Sequence, residues 1–125
     1  MNLQECYQAF GGDYEDTVKR MGMERLLQKF MLKFLDDKSF EELCNSMEQK
    51  KYEEAFRAAH TLKGLCLNLG FKVLAESSSN LTEVLRPLQF EESDLAKIMK
   101  LLEQVKRDYA MTVSVISEFK DGLEA

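Results

Sequence analysis

The 125-residue chain has no tryptophan, one proline and one histidine, and only three cysteines and six glycines. Each scarcity excludes something. One proline and scattered glycines leave no Pro- or Gly-rich linker, and the length fits a single domain over residues 1–125. Cys6, Cys44 and Cys66 are odd in number and follow no recognisable spacing. They predict reduced thiols packed as small apolar residues, not a disulfide framework. A lone histidine with three scattered thiols is a poor zinc set, so no metal site and no cofactor are expected. Nothing suggests the pocket or oxyanion hole that a Ser-His-Asp triad needs. No apolar run approaches the ~20 residues of a membrane span. The start MNLQECYQAF lacks the basic and apolar regions of a signal peptide. A cytoplasmic protein with no membrane partner is the expectation. The net charge of −5 argues against nucleic acid, which calls for a clustered basic face. A monomer is expected.

What is present is helical. Hydrophobic residues make up 45% and charged residues 31%, a balance that favours a packed globule over a disordered chain. Asn2 and Glu5 have capping-box spacing before Leu3, Cys6 and Phe10, and Gly11-Gly12 stops that helix. Asp13 caps a second short helix to Met21, and Gly22 breaks it. A third, about 23–36, carries a broad stripe of Met23, Leu26, Leu27, Phe30, Met31, Phe34 and Leu35. Ser39 with Glu42 predicts a capping box for a fourth, burying Phe40, Leu43, Cys44 and Met47. A fifth runs from Tyr52 to Leu69 with Gly70 as its left-handed stop. The sixth, from Phe71 to Arg86, keeps its period through Ser77, Ser78, Ser79 and Asn80 and ends at Pro87. The last starts at Ser93 or Asp94 and holds the period to Lys120, roughly 40 Å. The fold class expected is all-α: an up-down four-helix bundle with extra short N-terminal helices.

The only histidine lies in AAHTLKG, residues 58–64. A glycine inside a helix costs about 1 kcal/mol relative to alanine, so Gly64 needs a reason. With Phe56 at zero and ~100° per residue, Ala55, Ala59, Leu62, Cys66 and Leu69 fall between about 220° and 300° and form the core face. Ala58 and Leu65 widen it. His60, at about 40°, faces away, flanked by Lys63 and Gly64. Phe56 and Leu67 share its face and would form an exposed apolar patch for docking, unless a neighbouring helix covers them. An exposed imidazole is a nucleophile that can accept a transferred group. A phosphoryl group there would bring negative charge, which Lys63 at i+3 offsets. Gly64 leaves clearance for a partner's active site.

At this point the chain resembles the histidine-containing phosphotransfer (HPt) family. The resemblance rests on His60, Lys63 at +3, Gly64 at +4, and Leu69-Gly70 at +9 and +10. GGDYED near the start and the order of helices fit the same family. The resemblance implies a helical bundle that takes a phosphoryl group from a receiver-domain aspartate and passes it to another. The receivers belong to response regulators or hybrid histidine kinases, and Mg²⁺ comes with the receiver. His60 would carry the phosphoryl group beside Lys63 and Gly64, with Phe56 and Leu67 as docking contacts. No P-loop, Gly-rich ATP lid or acidic receiver triad is present, so the chain reads as a carrier and not an enzyme. One departure is Leu65-Cys66, where the family usually has small residues; the angular count turns both inward. A different class remains open: an adaptor bundle that binds receivers or kinases without carrying phosphate.

Overall fold

The computed structural model describes residues 1–87 and 90–124. Seven α-helices and one 3-10 turn account for the regular structure among them. They are α1 (Leu3–Phe10), α2 (Tyr14–Met21), α3 (Glu24–Lys33), the 3-10 turn Phe34–Asp36, α4 (Ser39–Glu48), α5 (Tyr52–Leu69), α6 (Lys72–Leu85) and α7 (Glu92–Glu124). Helix α5 packs against α4 on one side and α6 on the other, α6 packs against α7, and α1 lies against α7.

The short N-terminal helices begin and end where their caps dictate. The Asn2 side chain accepts from the Glu5 amide and the Glu5 carboxylate accepts from the Asn2 amide, at 2.8 and 2.9 Å. Asp13 caps α2 through the Asp16 amide. This pair of helices is fastened to the turn between α5 and α6. The Tyr7 hydroxyl donates to the Leu69 carbonyl at 2.6 Å, the Asp13 amide donates to the Gly70 carbonyl at 2.8 Å, and the Val73 amide donates to the Gly11 carbonyl at 3.0 Å. Around the junction Tyr7, Phe10, Phe34 and Phe71 form an aromatic cluster, with centroids 4.8 to 5.8 Å apart in the contacting pairs.

Several expectations are corrected. The third helix stops at Lys33 and tightens into the 3-10 turn Phe34–Asp36. Of its stripe, Leu27, Met31 and Phe34 are buried, but Met23 (47%) and Phe30 (41%) are exposed. The stripe is wider than the single face that α3 turns to α5 and α7. The Ser39–Glu42 capping box does not form. Asp37 accepts from the Ser39 amide at 2.9 Å, so the first free donor of α4 is met from two residues upstream and Ser39 is itself buried. Phe40 and Cys44 are half-buried, while Leu43 and Met47 are buried. Phe40 stacks on Tyr109 at 3.8 Å. Helix α7 is longer than its pattern suggests: 33 residues from Glu92 to Glu124, about 50 Å, passing through Gly122. Along it Ile98 is buried, whereas its neighbour Met99 is exposed.

Helix α6 follows its sequence pattern closely. Leu74, Ala75, Ser78, Leu81, Thr82 and Leu85 are all buried. The serine run is helical, and on this helix Ser77 donates to the Leu74 carbonyl and Thr82 to the Ser78 carbonyl. The small side chains at 75, 77 and 78 let a neighbouring helix approach closely. The Ser78 hydroxyl is the one buried side-chain oxygen without a partner among the described residues.

Candidate functional site

Helix α5 is the scaffold of the site. Ala55, Ala58, Ala59, Leu62, Cys66 and Leu69 form its buried face, each at most 5% exposed. The helix ends in a Schellman arrangement: the Phe71 amide donates to the Cys66 carbonyl at 2.9 Å and the Gly70 amide to the Leu67 carbonyl at 3.3 Å. Gly70 has φ +70°, and a side chain there would also strike the Thr17 hydroxyl and the Asp13 carbonyl. This position therefore demands glycine twice over. Arg20 of α2 donates to the Leu67 and Asn68 carbonyls at 3.4 Å, placing a cation at the negative end of α5.

His60 is exposed on the side of α5 away from the buried face. Gly64, one turn on, is exposed too, and a methyl group built there meets nothing within 4 Å. Lys63 is half-buried at the edge of the same face. It lines a groove with Arg20, Leu67, Ser79 and Asn80, so α2 and α6 frame the site on that side.

Phe56 and Leu67, expected to flank His60 as an exposed pair, part company. Leu67 is 55% exposed. Phe56 is half-buried and packs against the core. Its ring lies nearly parallel to the imidazole of His60, 6.1 Å between centroids and 12° between planes. The Arg86 guanidinium sits 5.2 Å from the Phe56 centroid. The split comes from outside α5, where Arg86 lies over the Phe56 ring and not over Leu67. Phe56 lies about 20° nearer the core face than Leu67, on the side that α6 covers. Leu65 does not turn fully inward with Cys66. It is half-buried and lines a second groove with Phe30, Lys33, Phe34, Asp36, Asp37 and Leu69.

Two charged residues beside the site escaped sequence reasoning. Arg86, which caps the end of α6, and Glu83 of α6 pair through two hydrogen bonds, Nη2 to Oε1 at 3.0 Å and Nε to Oε2 at 3.2 Å. The Arg86 hydrogen bonds, then its charge, hold the Glu83 carboxyl below the usual carboxylate range, with smaller help from Lys63 and His60. The i,i+3 spacing signals the pair on its own helix. Nothing in the sequence of α6 alone signals its place next to His60.

The buried thiols lie apart from this chemistry. Burial pushes Cys66 well above the usual thiol range, so it stays protonated and unreactive. Among the described residues, no three His, Cys, Asp or Glu side chains converge as a metal site, and no helix is long and apolar enough to cross a membrane. The family model described as the Hpt domain matches residues 23–119, a span that includes His60 and all of α3 to α6. No curated protein and no solved structure matches the chain.

Proposed function

The chain belongs to the Hpt domain family, and on that premise we propose that it carries a phosphoryl group on His60 between receiver domains of a two-component phosphorelay. One observation carries this reading: the exposed imidazole has Lys63 and Gly64 beside it, with open space above Gly64. A receiver's aspartyl phosphate can approach because no side chain of this chain blocks that turn of the helix. The His60 nitrogen attacks phosphorus, the N–P bond forms, and the acyl phosphate P–O bond breaks with its electrons left on the aspartate. The Lys63 ammonium balances the charge that arrives. Mg²⁺ belongs to the receiver, and this chain needs no nucleotide site. Transfer to a second receiver is the reverse of the same step.

The four long segments α4 to α7 read as an up-down bundle around the site. Successive helices pack on one another, and the short connections at 49–51 and 70–71 support an antiparallel return. The receivers fit response regulators or hybrid kinases, the carrier acts as a monomer in the cytoplasm, and Leu67 and the Phe56 edge contribute to docking.

The test is labelling by a phosphorylated receiver. The native chain takes acid-labile label, and His60→Gln takes none. If His60→Gln is labelled as well, the acceptor is wrong. If neither is labelled, yet a receiver binds His60→Ala as tightly as the native chain, the protein is an adaptor and not a carrier.

A further inference from the structure

The contacts around His60 form a relay across two helices. The guanidinium of Arg86 lies against one face of Phe56, and the Phe56 ring is nearly parallel to the imidazole of His60. Arg86 is held there by both oxygens of Glu83, which sits one turn earlier on α6. The pair is exposed, 52% for Arg86 and 57% for Glu83, so the bond is weak and easily exchanged. The neighbouring cations on α5 are differently placed. Lys63 lies beside His60, and Arg57 is occupied by Glu53.

We propose that Glu83 and Arg86 are a charge latch on His60: Glu83 holds the guanidinium over Phe56 while the imidazole is bare, and a phosphoryl group on His60 takes it away. A phosphoryl group offers three oxygens and a charge of about −1.5 to −2, against the single charge of Glu83. A guanidinium fits it through two parallel hydrogen bonds. The phosphoryl group also repels the Glu83 carboxylate. Both effects move Arg86 in one direction. Arg86 is thus a positioning residue for the phosphorylated state, and Glu83 sets how readily that state forms. The latch rests on the carrier reading above.

Phosphoramidate serves as the probe, since it needs no partner. The imidazole nitrogen bonds phosphorus, the donor's own P–N bond breaks, and ammonia leaves with the imidazole's proton. The second ionisation of the resulting phosphohistidine is then followed by ³¹P NMR. Glu83→Gln lowers that pKa and Arg86→Gln raises it, each by ~0.2–0.7 pH unit, as for exposed charge pairs. Arg86→Lys, which keeps the charge, restores most of the native value. In the Arg86→Gln background, Glu83→Gln loses at least half of its effect, because its competitor is gone. If both single variants titrate like the native phosphoprotein, the latch is overturned and the carrier stands. If the two effects simply add, Glu83 acts by its field alone and the competition is wrong. If the native chain takes no phosphoryl group on His60, carrier and latch fall together.

Discussion

At the scale of the residue, Gly64 is the informative position. Glycine in a helix interior is unfavourable, and here no neighbouring atom of the chain requires it. Gly64→Ala should therefore raise stability by about 0.5–1 kcal/mol in urea unfolding. The same methyl should slow phosphoryl transfer from a receiver, because it occupies the space above the turn next to His60. A variant that is less stable than the native chain would show that the glycine has a folding role after all. The angular count around Phe56 was enough to place His60 outside and Ala55, Ala59, Leu62, Cys66 and Leu69 inside, because one helix contains all of that information. It misjudged Phe56 because the burial of that ring comes from α6 and Arg86, which the wheel does not contain.

At the scale of the element, legibility followed the locality of the signal. Helix ends set by a cap and a glycine, such as Asn2 to Gly11 or Asp13 to Gly22, were readable because partner and cap lie within a few residues. Helix α4 was misread at its start because Asp37, not Ser39, supplies the acceptor. The extent of α7 exceeds its period to Lys120 because the helical backbone continues past the last core contact, and Gly122 does not turn left-handed to stop it. The end of α5 depends on a contact no periodicity reveals, the bond from Tyr7 to the Leu69 carbonyl across 62 residues. Tyr7→Phe keeps the ring in its aromatic cluster and removes only that bond. It should cost about 1–3 kcal/mol in denaturant unfolding, since the Leu69 carbonyl loses its buried donor.

At the scale of the whole molecule, the core contains acids that fold protonated. Burial raises the Cys66 thiol and, together with the nearby Cys6, the Tyr7 phenol. Burial also raises Cys6. A raised folded pKa means that the folded chain holds its proton more tightly than the unfolded chain. The stabilisation is complete below the unfolded values, 9.0 for the thiols and 10.0 for the phenol, and is lost as pH climbs above them. Denaturant midpoints should be level between about pH 7 and 8.5 and fall beyond pH 9. Each such group contributes at most ~1.4 kcal/mol per pH unit. Cys66→Ala should fall less steeply over the same range, even though its starting stability is lower. The all-helical class was legible from composition and period alone. The attachment of α1 and α2 to the α5–α6 turn was not, because it joins segments about 60 residues apart.

That attachment bears on where this protein can be cut. The family match begins at residue 23, after α1 and α2. A fragment trimmed to it would remove the donors to the Leu69 and Gly70 carbonyls, the acceptor of the Val73 amide, and two rings that cover Phe71. It would also take away the cation at the end of the histidine helix. The portion recognised as kin thus leaves out the contacts that brace the α5–α6 turn, and the first twenty-two residues act as a splint for the helix that bears His60.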